Sequence, residues 1–184
     1  MDPIKLKNTL KQGGKVYGTM LWGIDSARLA SFLDSEFLDY AIIEAEHAPR
    51  TLYQINSMTT ALRSKNITSI VRITSPNPEI AGATIDAGAD GILVPYCEDI
   101  EELKLSFGRT YFNPLKGKYL KKVLDTGEFP SKKSEDYLRE KSKSRLFILG
   151  IESVPAVDNL ENMINSVENI DGIFVGPNDL TTSM

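Results

Sequence analysis

The stretch IDAGADGILVPY, residues 85–96, contains the unit that decides the fold. Gly88 is typical of the end of a helix, and the apolar run GILVPY follows it at residues 91–96. This run is apolar at consecutive positions and not at alternate ones. Such runs are typical of strands that are buried on both faces, as in a parallel sheet covered by helices. The stretch therefore predicts alternating helices and parallel strands.

The same unit recurs along the chain. Apolar runs predict six strands, at residues 15–21, 40–43, 68–73, 91–96, 146–151 and 172–175. Helical patterns are predicted to follow Ser26 and Thr51 and to cover residues 79–87, 99–107, 134–143 and 156–167. Six successive βα units leave an open doubly wound sheet or a (β/α)8 barrel. No GxGxxG or GxxxxGK[ST] string follows a strand, so nothing supports a nucleotide-binding sheet.

The composition excludes several classes of protein and of partner. With 184 residues, 41% hydrophobic and 25% charged, the chain is predicted to form one domain, residues 1–184. A net charge of −4 argues against nucleic acid as a partner. No run reaches the roughly 20 apolar residues of a membrane span. Cys97 is the only cysteine, which excludes an intrachain disulfide and a Cys-based zinc site. We expect a cytoplasmic protein in which Cys97 is a buried structural residue.

One basic stretch interrupts the βα rhythm. Residues 109–145 are predicted to form an insertion between strands four and five, and within it residues 115–145 carry ten Lys/Arg against five Asp/Glu. One interpretation is a solvated insertion with a charged helix. The other is a basic loop that covers a site for an anionic substrate. Both interpretations stay open at this point.

Polar residues gather where the predicted strands end. In such a sheet, ligands bind at the carboxyl ends of the strands, a face that we call the mouth. The charged residues at these ends are Glu44, Glu46, His47, Arg72, Glu152 and Asp179. A carboxylate directly after an apolar strand needs a metal or a cationic side chain as its partner. Together Glu152 and Asp179 suggest an all-oxygen site for Mg²⁺ or Mn²⁺.

Five strings of the sequence carry a resemblance. They are IIEAEHAP (42–49), VRI (71–73), IDAGADGILVPY (85–96), GIESVPAVDNLENM (150–163) and DGIFVGPNDLTTSM (171–184). With them the chain resembles the HpcH/HpaI-type metal-dependent pyruvate aldolases, which include 2-dehydro-3-deoxyglucarate and 4-hydroxy-2-oxoheptanedioate aldolases. The resemblance implies an α/β fold, a (β/α)8 TIM-type barrel truncated here after strand six. It also implies reversible cleavage of a 4-hydroxy-2-oxo acid to pyruvate and an aldehyde by a class II aldolase.

The resemblance also implies a metal and substrate site. Glu152 and Asp179 match the family's metal ligands, with Mg²⁺ as the expected ion and Mn²⁺ or Co²⁺ as alternatives. Pyruvate chelates this ion in the family, and the backbone N–H groups that match Asn178 and Asp179 bind its carboxylate. Arg72 matches the arginine that contacts the keto or enolate oxygen.

A histidine serves as the base in the family, and His47 matches it. An acidic residue three positions earlier orients that histidine, and Glu44 takes this place where the family usually has Asp. Two further departures are Gly150, where the family often has Gln, and NPLKGKY at residues 113–119. The latter replaces a PP-x-G-x-RG loop that shapes the mouth in the family.

Two other functions remain open from the sequence. One is a CoA-thioester lyase or thioesterase on the same scaffold, in which the basic stretch binds the CoA phosphates. The other is a catalytically weak barrel that acts as a binding or assembly protein.

The resemblance implies a homo-oligomer, because the family exchanges a C-terminal helical segment between subunits. The family also has two more βα units. We therefore expect a longer natural product or a neighbouring subunit that fills the gap, and we expect residues 1–184 alone to be poorly soluble and inactive.

Overall fold

The structure, a computed structural model, describes residues 1–184 and contains one curled parallel sheet. Its six strands are β1 (Gly18–Leu21), β2 (Tyr40–Glu44), β3 (Thr68–Arg72), β4 (Gly91–Val94), β5 (Leu146–Ile151) and β6 (Gly172–Val175). They lie side by side in chain order, and each pairs with the next in parallel. This is the six-strand part of a TIM-type barrel, so the predicted fold class is confirmed.

One helix precedes the first strand, and the others follow the strands. They are α1 (Pro3–Lys11), α2 (Leu52–Ser64), α3 (Pro78–Asp86), α4 (Ile100–Tyr111), α5 (Gly117–Thr126), α6 (Lys132–Ser142), α7 (Val154–Asp158), α8 (Leu160–Asn165) and α9 (Pro177–Ser183). Thr51 caps α2 as predicted, in a capping box with Gln54. The helix predicted after Ser26 is only a 3₁₀ helix, Ala27–Ser31. The helix predicted at residues 156–167 is two helices, because Asn159 leaves the helical conformation between them.

Strands β2 to β5 are buried on both faces, as the continuous apolar runs predict, whereas the edge strands β1 and β6 are partly exposed. Its outer face and the helices share a core of 30 buried residues. The inner face forms a second cluster in which Leu6 of α1 packs on Ile42, Ile70, Leu93 and Leu146. A cavity of about 220 Å³ remains inside the sheet. None of the helices is both long and apolar enough to cross a membrane.

The NPLKGKY stretch lies at the end of the molecule away from the mouth. It follows α4, whose last residue Tyr111 donates a hydrogen bond to Asp171, directly before β6 begins. Asn113 donates to Asp86 at the end of α3. Both partners mark the amino ends of strands. Because α4 runs antiparallel to the strands, its end cannot reach the mouth. The expectation that this stretch shapes the mouth is therefore wrong within this chain.

Candidate active site

A buried ion pair links the ends of β2 and β3. Glu44 and Arg72 are partners in the strand register, so their side chains point to the same side of the sheet. Arg72 Nε donates to Glu44 Oε2 at 2.6 Å. Arg72 is 5% exposed and Glu44 is 0% exposed. A buried carboxylate needs such a partner, and a charge-assisted hydrogen bond at this distance is strong.

The second oxygen of Glu44 shapes the turn that carries His47. Glu44 Oε1 accepts hydrogen bonds from the backbone N–H groups of Glu46 at 2.8 Å and His47 at 3.0 Å. Glu44 thus holds His47 through its backbone. The carboxylate beside the imidazole is that of Glu46, with Oε2 at 3.5 Å from His47 Nε2. No role for Glu46 was predicted from the sequence, although the string EAEH places it directly before the histidine.

Arg72 faces two more carboxylates at the mouth. Its Nη1 atom lies 3.1 Å from Glu46 Oε2 and 3.6 Å from Glu152 Oε1. The guanidinium carbon lies 6.0 Å from the ring centre of Trp22 and 5.7 Å from that of Phe174. One arginine therefore brings the ends of β2, β3 and β5 together, and aromatic rings restrict its movement.

Trp22 and Arg50 complete the histidine side of the site. The Trp22 ring stacks on the imidazole of His47, with ring centres 5.8 Å apart and planes at 25°. Arg50 donates to the carbonyl oxygens of Glu44 at 2.7 Å and Trp22 at 2.8 Å. These bonds tie the loop after β1 to the end of β2. Neither residue was predicted from the sequence, because neither motif spacing nor periodicity marks a contact between separate loops.

Glu152 directly follows β5. It is fully buried, and its Oε2 accepts a hydrogen bond from the backbone N–H of Tyr96 at 3.0 Å. Its Oε1 has no hydrogen-bond partner, and neither has Oε2 of Glu46. Burial raises the pKa of the Glu152 carboxyl, and the positive charge of Arg72 partly offsets this rise. Burial raises the pKa of Glu46 in the same way.

The donor set fits a hard divalent cation. Asp179 is half-buried in the first turn of α9, close enough for its charge to raise the pKa of Glu152. No group of three or more His, Cys, Asp or Glu side chains is gathered as metal ligands. Two carboxylates, one with a buried oxygen that lacks a partner, suit a cation that keeps water or substrate among its ligands. Asn178 lies exposed in the same turn.

Cys97 has no part in this chemistry. It is buried, its thiol donates to the carbonyl oxygen of Asp99, and burial raises its pKa to about 12. Because a thiolate is the nucleophilic form of cysteine, this thiol is inert at neutral pH. The prediction that Cys97 is a buried structural residue is confirmed.

The fold and the polar cluster at its mouth define a (β/α)8-type barrel with a site built on carboxylates, arginine and histidine. Residues 19–184 match the profile of the HpcH/HpaI aldolase/citrate lyase family. The chain belongs to this family.

Individual relatives agree with this assignment. The chain is 27% identical over 182 residues to a 4-hydroxy-2-oxo-heptane-1,7-dioate aldolase from Salmonella dublin, covering 97% of this chain and 66% of the relative. It is 30% identical over 164 residues to a 5-keto-4-deoxy-D-glucarate aldolase from Salmonella arizonae, covering 85% of this chain and 62% of the relative. The chain thus spans less than two thirds of the length of these relatives.

A solved structure supports the fold. The HpcH/HpaI aldolase from Desulfitobacterium hafniense superposes with a TM-score of 0.78 at 24% identity, covering 97% of this chain and 68% of that one. At this identity the likeness shows the fold alone.

Proposed function

We propose that this chain belongs to a divalent-metal-dependent class II aldolase that reversibly cleaves a 4-hydroxy-2-oxo acid to pyruvate and an aldehyde. The observation that carries the proposal is Glu152, a fully buried carboxylate whose Oε1 has no hydrogen-bond partner and lies beside Arg72. Arg72 supplies one positive charge for three carboxylates, so this buried oxygen without a donor is unfavourable unless a further cation neutralises it. The family's aldolases provide the reaction class.

Glu152 and Asp179 hold the cation in this proposal. Mg²⁺ is the first candidate because it accepts one or two carboxylates and keeps open positions for water or substrate, and Mn²⁺ or Co²⁺ are alternatives. When bound, the cation stabilises the negative charge of the pyruvate enolate by several kcal/mol.

Arg72 stabilises the same charge from the protein side. Its Nε is fixed on Glu44 at 2.6 Å, which leaves the Nη atoms directed towards the mouth. A preorganised donor of this kind acts where charge develops, on the keto oxygen that becomes the enolate oxygen. The backbone N–H groups of Asn178 and Asp179 have no partner within the first turn of α9, and they bind the carboxylate of pyruvate.

His47 moves the proton. It is the only histidine of the chain, and its side chain is 44% exposed, so it can exchange protons with water. Imidazole is suited to proton transfer near neutral pH, which contributes roughly 10²–10⁴ in rate. The Glu46 carboxylate at 3.5 Å and the Trp22 ring hold its orientation.

The two alternative functions have less support. A role of residues 109–145 in binding CoA phosphates needs free cations. Several lysines of the stretch form no ion pair, but the stretch follows α4, where Asn113 donates to Asp86 at the end of the molecule away from the mouth. A pure binding or assembly role does not explain why three carboxylates converge on Arg72.

The complete gene product provides the test. We expect pyruvate release from a panel of 4-hydroxy-2-oxo acids with Mg²⁺ and none after chelation. Glu152→Gln keeps the shape of the side chain but not its charge, and we expect it to be inactive under both conditions. Turnover of malyl- or citramalyl-CoA in place of free oxo acids would favour the CoA-thioester alternative. Absence of turnover on both panels would favour the binding role.

We also propose a homo-oligomer, as the resemblance to the family implies, and a cytoplasmic location, because a single cysteine fits a reducing compartment. Gel filtration with light scattering on the same preparation measures the subunit count.

A further inference from the structure

The strands β4 and β5 come unusually close at the mouth. A Cβ atom on Gly150 would lie 2.6 Å from the carbonyl oxygen of Val94 and 3.0 Å from Cα of Pro95. Both are backbone atoms, which cannot turn away as a side chain can. Any side chain at residue 150 would therefore push the end of β4 away from β5. The Gln that the family often has at this position would not fit this arrangement.

The segment that packs against Gly150, residues 94–96, ends at a residue with an unusual backbone conformation. Tyr96 has φ 45°, in the left-handed region that bulky residues rarely adopt. In this conformation its N–H donates to Glu152 Oε2 at 3.0 Å. Backbone outliers of this kind concentrate at functional sites, where the surrounding structure maintains them.

On the opposite side, the Glu152 side chain lies close to the backbone of Gly176. A Cβ atom on Gly176, directly after β6, would lie 2.7 Å from both Cγ and Oε1 of Glu152. The carboxylate is thus confined between the Tyr96 N–H and the Gly176 backbone. Because Oε2 is occupied by this hydrogen bond, Oε1 is the oxygen left without a partner.

We propose that Gly150 and Tyr96 are positioning residues that set the orientation of Glu152 as a metal ligand. The missing side chain at residue 150 lets residues 94–96 close on β5. With Tyr96 in its left-handed conformation at the end of this segment, its N–H donates to Oε2, which leaves Oε1 for the cation. This inference rests on the metal site proposed above, and it makes Gly150 a requirement of this chain's geometry and not a lost substrate contact.

The experiment measures Mn²⁺ binding to the complete gene product by electron paramagnetic resonance, without substrate. Gly150→Ala is expected to weaken Mn²⁺ binding about tenfold or more, as is typical when groups that orient a ligand are lost. Tyr96→Val is expected to weaken it similarly, because a β-branched residue disfavours φ > 0. This second variant keeps the test valid if Gly150→Ala fails to fold.

The same sheet offers two matched controls. Gly91 lies at the other end of the same strand pair, where a Cβ atom would lie 2.5 Å from Leu146 Cβ and 2.6 Å from its carbonyl oxygen. Gly91→Ala should lower Tm but leave the Mn²⁺ affinity within about twofold. Gly172 on β6 has room, since its nearest atom would lie 3.9 Å away, so Gly172→Ala should change neither.

The outcomes distinguish a failure of the proposed metal site from a failure of the positioning role. If the wild-type protein does not bind Mn²⁺, the proposed metal site is wrong. If it binds Mn²⁺ and both Gly150→Ala and Tyr96→Val bind it equally well, the metal site stands and the positioning role is overturned. Equal losses in Gly91→Ala and Gly150→Ala would attribute the effect to general strain between β4 and β5 and would also overturn the positioning role.

Discussion

At the scale of single residues, Arg72 organises the site. It lies between Glu44, Glu46 and Glu152, with the shortest contact at 2.6 Å to Glu44. The planar guanidinium presents five donors in a fixed fork, whereas an ammonium group is a compact point charge with three. Arg72 is thus the side chain that links the three acidic residues of the mouth.

Replacement of the proposed base should separate proton transfer from metal binding. We expect His47→Ala to slow deuterium exchange at the pyruvate methyl group by roughly 10²-fold or more, because His47 is the general base of the proposed mechanism. The Mn²⁺ affinity should stay near that of the wild type, since His47 is not a ligand in this account. Exchange at the wild-type rate in His47→Ala would show that the base is misassigned.

Glu46 should make stability depend on pH. Its raised pKa means that the native state binds more protons than the unfolded state just above the ordinary carboxyl value of 4.5. Stability without metal therefore falls as pH rises through this interval. Glu46→Gln cannot ionise and should lose less stability as pH rises above about 4.5, as measured by urea unfolding in chelator.

An exposed carboxylate provides the control for this measurement. Glu36 lies on the surface, so Glu36→Gln should follow the wild-type profile. Superimposable profiles for Glu46→Gln and wild type would contradict the burial argument.

At the scale of elements, a polar network fastens α1 and α4 to the sheet at the end opposite to the mouth. Lys7 Nζ donates to the Tyr111 hydroxyl at 2.5 Å and to the Arg145 carbonyl oxygen at 2.8 Å. The Tyr111 hydroxyl donates to Asp171 at 2.5 Å and accepts from Asn169 at 2.7 Å. Burial lowers the pKa of Lys7, which the Asp171 charge partly offsets.

Removal of one hydroxyl should weaken this network without affecting the chemistry. Tyr111→Phe leaves Lys7, Asp171 and Asn169 each short of a partner, so unfolding should become easier by about 1–3 kcal/mol. Methyl exchange of pyruvate should not change. Tyr137, which is 52% exposed on α6, offers the control, because Tyr137→Phe removes a hydroxyl without such partners. Equal stabilities of Tyr111→Phe and Tyr137→Phe would rule out a stabilising network.

The sequence predicted the elements unevenly, for physical reasons. All six strands were predicted, because burial on both faces leaves continuous apolar runs. α1 and α5 were missed. α1 is mostly polar and depends on the Asp2 cap and the packing of Leu6. The break at Asn159 was also missed, because the apolar pattern continues across it.

The site, like the fold, was only partly predictable from the sequence. Glu44, His47, Arg72 and Glu152 were placed together because parallel strands bring their ends to one edge. The steric role of Gly150 was not predictable, because the Val94 carbonyl that a side chain would strike belongs to another strand.

At the scale of the whole molecule, the curled sheet has unpaired edges at β1 and β6. Ile173 and Val175 on β6 are 46% and 53% exposed. Exposed apolar edge strands promote pairing with other chains. We therefore expect residues 1–184 on their own to associate, with a mass above that of the monomer in light scattering.

A charge on the edge should reduce this association. Ile173→Lys should shift residues 1–184 towards the monomer, whereas Val157→Lys on α7, at the same 46% exposure, should not. A monomer at every concentration in the wild-type chain would show that the edges are protected within the chain.

The central claim is that Glu152 and Asp179 hold a divalent cation that makes pyruvate enolisation possible. The most direct measurement is deuterium exchange at the pyruvate methyl group, catalysed by the complete gene product before and after chelation. The account predicts that exchange stops on chelation and returns with Mg²⁺, Mn²⁺ or Co²⁺, but does not return in Glu152→Gln or Asp179→Asn. Exchange that persists after exhaustive chelation, or that metal restores in Glu152→Gln, would contradict it.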